Sequence, residues 1–205
     1  MASSNITAKR FRGFLPVVVD IETSGVVPSE NALLEMAFFP ITINEHGKAI
    51  FNDHKHYHIE PFEGAVFDRE SMEFHKIDPK HPFRFAKTEK EALSDSFAFL
   101  SSLLKESKCN RCVLVGHNAW FDLHFLQAAT KRAKLKSPFH AFTTFDTATL
   151  SAAMFGKTVL AQAAHAAKVD FDVKEGHSAL YDAKKTAELF CNIINQLPWP
   201  ENLKK

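Results

Sequence analysis

The stretch Phe14-Leu15-Pro16-Val17-Val18-Val19-Asp20-Ile21-Glu22-Thr23-Ser24-Gly25 decides how the rest of the chain is read. Its apolar run is short, rich in β-branched valines and broken only by Pro16, a pattern that fits a strand buried on both faces. Alternate side chains leave a strand from the same face, so Asp20 and Glu22 emerge side by side. Desolvating two like charges together is costly, and the usual relief is a raised pKa, a cationic partner or a bound metal. No lysine or arginine lies between Pro16 and Glu35. A metal is the economical local explanation, and a basic residue from elsewhere in the chain is the alternative. Thr23-Ser24-Gly25 then reads as a turn that brings the chain out at the sheet's edge.

Two further fragments place carboxylates in comparable positions. His117-Asn118-Ala119-Trp120-Phe121-Asp122 follows the apolar run Cys112 to Val115. Asn118 is the expected N-cap of a helix over 119–133, on which Asp122 shares a face with Phe125, Leu126 and Ala129. Taken alone, an aspartate in a first helical turn simply complements the helix dipole. In His177-Ser178-Ala179-Leu180-Tyr181-Asp182, the histidine sits in a loop after Gly176. A helix to about Gln196 follows, with Ala179, Ala183, Ala187, Phe190 and Ile194 along one side and Asp182 in its first turn. Either fragment alone has a bland reading as a cap and a surface group. The ordered occurrence of all three, on strand, helix and helix, points instead to a shared site.

Asp-x-Glu on a first strand, His-Asn-x-x-Phe-Asp opening a helix and His-x4-Asp near the C-terminus resemble the DEDDh family of 3′-to-5′ exonucleases, across nearly the whole chain. Within it the ribonuclease T branch is the most similar, through Arg10-Phe11-Arg12-Gly13-Phe14, Phe74-His75-Lys76-Ile77-Asp78-Pro79, Cys109-Asn110-Arg111 and Phe145-Asp146-Thr147. A related branch carries tyrosine four residues before the last aspartate; Ser178 stands there in this chain, which indicates the histidine branch.

The resemblance implies that Asp20, Glu22, Asp122, His177 and Asp182 are catalytic. Asp20, Glu22 and Asp182 would hold one Mg2+, and Asp20 with Asp122, partly through water, a second, with Mn2+ a substitute. His177 would be the general base, a task suited to an imidazole because it titrates near neutrality. Phosphodiester hydrolysis builds negative charge on an already anionic centre. Two divalent ions about 3.5 to 4 Å apart can stabilise attacking and leaving oxygens together. Hard cations of this kind prefer carboxylate oxygen.

Twenty phenylalanines against two tyrosines is a marked bias. Most of these rings must fill the core, but a nuclease acting on single strands also needs stacking platforms. The resemblance assigns base stacking to Phe74, Phe121 and Phe142 and a terminal-base contact to Glu70. Val26 stands at one of the branch's aromatic positions, which leaves open the grip on the last base and the reluctance to remove a 3′-terminal cytidine. The branch also implies a homodimer in which a basic patch on one subunit feeds RNA to the other, with Arg10, Arg12 and Arg111 matching parts of that patch. The expected substrates are 3′ ends of tRNA and other structured RNAs with 3′ overhangs, cut to 5′-mononucleotides, together with single-stranded DNA.

Composition is compatible with that reading. A chain of 205 residues with 45% apolar content suits a single exonuclease domain over 1–205, with a flexible segment at 1–10. The formal net charge of +1 excludes a general nucleic-acid coat, so attraction must come from local clusters. Besides the arginines above, Lys105 with Lys108, and Lys131, Arg132, Lys134 and Lys136, are candidates, with solvated surface as the plain reading. Cys109, Cys112 and Cys191 are an odd count without a secretory signal, which argues for reduced thiols and the cytoplasm. Cys109-Asn110-Arg111-Cys112 lacks the second pair that a structural zinc would need. His54, His56 and His58 would line one face of a strand, read here as an exposed face because no nearby acid completes a metal site. No apolar run reaches membrane-spanning length.

Strands are expected at 14–22, 33–43, 54–60, 112–115 and 142–146. Helices are expected at 88–104 and 119–133, followed by two short ones and the last long one. The order predicts an α/β fold: a mixed five-stranded sheet, antiparallel first and parallel after, flanked by helices, as in the ribonuclease H-like fold of the family. Residues 61–82 read as a rim over the site. Two other functions compete: a proofreading-type exonuclease or oligoribonuclease sharing the five positions, and a 3′-end binding module without catalysis.

Overall fold

The structure is a computed structural model that describes residues 6–199. Its centre is a five-stranded mixed sheet. The strands are β1 (Phe14–Thr23), β2 (Leu33–Pro40), β5 (Lys55–His58), β6 (Arg111–Gly116) and β7 (Phe139–Asp146). Strand β1 runs antiparallel to β2 and parallel to β6; β2 pairs antiparallel with β5 and β6 parallel with β7. The expected change from antiparallel to parallel therefore falls on β1. A separate two-stranded ribbon, β3 (Thr42–Ile43) with β4 (Ala49–Ile50), extends beyond β2.

Residue parity on β1 divides the core. Val17, Val19 and Ile21 join the cluster beneath helices α3 (Glu89–Glu106) and α4 (Trp120–Arg132). Val18 joins the opposite cluster with Ala37, Phe39 and Val115, packed by Ala179, Ala183, Ala187 and Phe190 of α7 (Ala179–Gln196). Asp20 and Glu22 share the parity of Val18, so they continue the α7 face past the point where apolar packing ends. Phe38, Phe125 and Phe190 are fully buried. Cutting any of them back to alanine costs roughly 3–5 kcal/mol.

Local chemistry fixes the helix ends. Thr88 and Glu91 form a reciprocal capping box that starts α3: Thr88 Oγ1 accepts from the Glu91 N–H at 3.3 Å, and a Glu91 carboxylate oxygen accepts from the Thr88 N–H at 3.0 Å. Asn118 does not cap α4. It takes a left-handed conformation, φ 69°, and the Ala119 N–H is held by Asp146 Oδ2 at 2.9 Å instead. The tip of β7 thus aims the start of α4, a long-range contact that local pattern cannot reveal. Asp146 also caps α5 (Thr147–Phe155), its Oδ1 accepting from the N–H groups of Ala148 and Thr149.

Two expectations need correction. Residues 6–10, read as part of a flexible segment, form the short helix α1 (Ile6–Arg10) with Thr7 and Ala8 buried; residues 1–5 lie outside the described part. Strand β7 begins at Phe139 rather than 142, because Phe139 is a buried core residue paired with Cys112. The rim at 61–82 contains a helix, α2 (Arg69–His75), whose side chains are all at least partly exposed. A short helix α6 (Leu160–Ala166) completes the connection to α7.

Candidate active site

Three elements meet where β1 leaves the sheet. Asp20 and Glu22 point from its end, and Asp182 comes down from the first turn of α7. One carboxylate oxygen from each lies within 4.8 Å of the others. Asp122 stands beneath them, 5% exposed, tucked against the end of β6. Gly116 permits that approach: a Cβ there would sit 3.1 Å from Asp122 Oδ2 and 3.0 Å from the Ala119 Cα. The backbone N–H of Ile21 favours the charged form of the Asp122 carboxyl, coupling the α4 acid to the strand that bears the other two. His177 lies on the approach loop with φ 70°, its N–H donating to Asp182 Oδ2 at 2.9 Å.

Burial and mutual repulsion dominate the electrostatics. Burial raises the Asp20 carboxyl well above its usual range, and Asp122, Glu22, Asp182 and Glu35 add to the shift. Glu22 is pushed up to about 8 by burial, with Asp182, Glu35 and Asp122 behind it. Asp122 is also raised by burial, against the opposing pull of its own backbone N–H and then that of Ile21. Asp182 follows, raised by burial although the His177 N–H works the other way. Asp182 Oδ1 is buried and has no hydrogen-bond partner among the described residues. Converging, desolvated oxygen donors with one acceptor left over fit a hard divalent cation.

Above the carboxylates opens a cavity of about 450 Å³. Phe74, Phe121, Glu70, Val26, His177 and Ser71 are among the residues that line it. Phe74 comes from α2, is 61% exposed and lies against the His177 ring. His75, a residue that sequence reasoning missed, braces this wall: its Nε2 contacts the Thr23 carbonyl at 3.0 Å, and its Nδ1 accepts from the Ile77 N–H. Gly25 lets the Val26 loop approach α2, since a Cβ there would meet Asp68 at 2.2 Å.

Other predicted residues lie elsewhere. Phe142 is 81% exposed on the edge strand β7, within its irregular stretch, and does not line the cavity. Arg12 and Arg111 are exposed at the far end of the sheet, near the start of β1 and β6, with the Arg12 guanidinium over the Phe14 ring. Arg10 lies over Trp199 and donates to the Pro198 carbonyl. Arg132 is committed to the fold: it pairs with Glu89, donates to the Pro28 carbonyl and covers Phe62. The histidine face on β5 does have an acid beside it, since Glu35 of β2, 4% exposed, contacts His56 Nε2 at 2.7 Å. His54 stands apart, stacked on Phe39. Cys109, Cys112 and Cys191 are free and buried.

Residues 17–190 match the RNase T family model, described as an exonuclease. The chain belongs to this exonuclease family. Ribonuclease T of Vibrio vulnificus (strain YJ016) is 50% identical over 190 residues, spanning 92% of this chain and 88% of the relative. Ribonuclease T of Shewanella denitrificans is 48% identical over 197 residues, spanning 96% and 87%. That of Buchnera aphidicola subsp. Cinara cedri is 48% identical over 198 residues, spanning 94% and 90%. Among solved structures, E. coli exonuclease I in complex with a dT13 oligonucleotide superposes with a TM-score of 0.65 at 14% identity, over 87% of this chain and 40% of that one. A full-length 3′-exonuclease gives 0.67 at 18% identity, over 88% and 81%. These likenesses establish the ribonuclease H-like exonuclease fold. The family and the ribonuclease T relatives make the chain a 3′-to-5′ exonuclease, a phosphodiester hydrolase of a class that works with divalent metal. No helix among the described residues is long and apolar enough to cross a membrane.

Proposed function

We propose that this ribonuclease T family exonuclease trims the 3′ ends of tRNA and other structured RNAs, and of single-stranded DNA, releasing 5′-mononucleotides. The observation that carries this reading is the joint placement of Asp20, Glu22, Asp182, His177, Phe74 and Phe121 around one cavity. Near-complete coverage of ribonuclease T relatives supports the choice of RNA.

Asp20, Glu22, Asp122 and Asp182 would hold two Mg2+ ions, with Mn2+ a substitute. Such ions supply the positive charge that eases deprotonation of water and offsets charge building on the phosphate. Phe74 and Phe121 stack the terminal bases, and Glu70 contacts them at the cavity rim. His177 accepts the proton of the attacking water as the P–O3′ bond opens. Phe142, outside the cavity, would meet nucleotides farther from the end.

The single domain is proposed to act as a homodimer in the cytoplasm. From Phe14 to Glu22 the β1 strand covers about 26 Å at roughly 3.3 Å per residue, so Arg12 and Arg111 lie far from the carboxylates of their own subunit. A second copy would bring a basic patch to the cavity. Incubating the protein with end-labelled tRNA bearing a 3′ overhang and with single-stranded DNA, in Mg2+ or in chelator, tests the reading. Stepwise shortening only with metal, abolished in Asp20→Asn, is expected. Activity confined to mismatched DNA ends or very short oligomers would favour a proofreading enzyme or an oligoribonuclease. Binding of 3′ ends without any release would leave a binding module.

A further inference from the structure

The antiparallel register carries a second row of chemistry across the sheet. Glu22 of β1 is opposite Glu35 of β2, which is opposite His58 of β5, and His56 is opposite Ala37. Directly opposed residues share a face, so Glu35, His56 and His58 lie on the same side as Asp20 and Glu22, one strand spacing and more away from them. His56 Nε2 is 2.7 Å from Glu35 Oε1, and the two imidazole rings stand 5.0 Å apart, nearly perpendicular. One ligand atom from each of the three lies within 4.8 Å of the other two.

Hydrogen bonding leaves this cluster incomplete. His58 Nδ1 is buried and has no partner among the described residues. A buried ring nitrogen without a partner is costly, and metal ligation is one way to satisfy it. The nearby cation Arg84 is directed at the carbonyls of Leu34 and Pro79 rather than at Glu35. Glu35 also accepts from Ser178 Oγ at 3.3 Å, so the cluster touches the residue between His177 and α7.

We propose that Glu35, His56 and His58 form a second cation site, selective for a borderline transition metal of the zinc type. Two imidazoles with one carboxylate make a three-ligand set that suits Zn2+ and leaves a position for water, whereas Mg2+ prefers the all-oxygen cluster next door. The two sites thus differ in the softness of their donors. A cation at Glu35 also places positive charge beside Ser178, where the approach loop joins α7. The site is therefore positioned to modulate the catalytic loop from outside the cavity.

Co2+ is the probe, because nitrogen-rich sites of low coordination number absorb visible light far more strongly than octahedral sites of carboxylate and water. The titration uses the full chain carrying Asp20→Asn and Asp182→Asn, which disables the all-oxygen cluster. The expected result is one equivalent of strongly absorbing Co2+, displaced by Zn2+ but not by Mg2+, and lost on adding His56→Gln or His58→Gln. Because either substitution could disturb β5, imidazole 15N resonances of the wild-type chain give a second readout: His56 and His58 should shift with Zn2+ and not with Mg2+. A weak spectrum of oxygen ligation, an equivalent retained in both glutamine variants, or unmoved His56 and His58 resonances would each overturn the site. None of these readouts depends on nuclease activity, so they stand apart from a failure of the proposed RNA trimming.

Discussion

The rings of Phe74 and His177 lie 3.9 Å apart, centroid to centroid, at an interplanar angle of 52°. The aromatic wall and the candidate base therefore touch, although one comes from α2 and the other from the loop before α7. Phe74→Ala should raise KM on a single-stranded oligonucleotide by about 5-fold to 150-fold, the equivalent of 1–3 kcal/mol of stacking. The ring is 61% exposed, so unfolding stability should change by no more than about 0.5 kcal/mol. Steady-state kinetics paired with thermal melts checks both, and an unchanged KM would remove Phe74 from substrate binding.

His177 offers a sharper separation of roles. Only its backbone N–H engages Asp182, so His177→Ala keeps that bond and should leave metal affinity nearly intact. Turnover should fall by about 10²-fold to 10⁴-fold, the usual contribution of a positioned general base. Calorimetric Mn2+ binding and single-turnover rates measured side by side decide the point. Full rate across acidic and neutral pH in the variant would exclude His177 as the base.

Most of the site could be read from local pattern because its acids punctuate apolar periodicities. The even-odd alternation of β1 put Asp20 and Glu22 on one face, and the helical spacing of α7 put Asp182 beside its buried stripe. What escaped was set by contacts between distant segments. Glu35 hides inside the apolar run Leu33-Leu34-Glu35-Met36, and only the register with β5 brings the two imidazoles to it. Asp146 replaces Asn118 at the start of α4 for the same reason. Phe142 stands exposed on edge strand β7 and is not among the residues that line the cavity.

Val26 lines the cavity and is 67% exposed, so a larger ring can be accommodated without repacking the core. Val26→Phe is expected to add a stacking surface at the last base and lower KM by about 5-fold or more. Comparing oligonucleotides that end in cytidine or adenosine reads the same change as specificity. Equal kinetics for the variant and the parent chain on both ends would show that this position does not touch the terminal base.

Raised carboxyl pKa values translate into a pH-dependent stability with a definite sign. Glu22 titrates from an ordinary 4.5 to about 8 in the fold, so the folded state binds its proton more tightly than the unfolded chain does. That stabilisation is fully present below the unfolded value and is lost as pH rises through about 8. Asp20, Asp122 and Asp182 are displaced in the same direction. In chelator the melting temperature should therefore decline from mildly acidic pH toward pH 8, and saturating Mg2+ or Mn2+ should flatten the decline by neutralising the cluster. Asp122→Asn in chelator should melt higher than wild type at pH 8 while losing activity. A metal-free wild type whose stability rises over this range would contradict the electrostatic reading.

Separation of Arg12 and Arg111 from the carboxylates makes a complementation experiment decisive. If the patch of one subunit feeds the cavity of its partner, Asp20→Asn fails for lack of chemistry. Arg12→Ala/Arg111→Ala fails on structured RNA for lack of delivery. Each mixed dimer then contains one intact pairing, the good patch of the first chain facing the good cavity of the second. After random exchange at equal concentrations, half the dimers are mixed and each has one working site of two, giving about a quarter of the wild-type rate. Short oligonucleotides, which do not reach the patch, should be cut by the arginine variant at near the normal rate, and its salt dependence on structured RNA should be shallower. If the patch instead served its own cavity, mixing would recover no rate on structured RNA beyond the sum of the two parents.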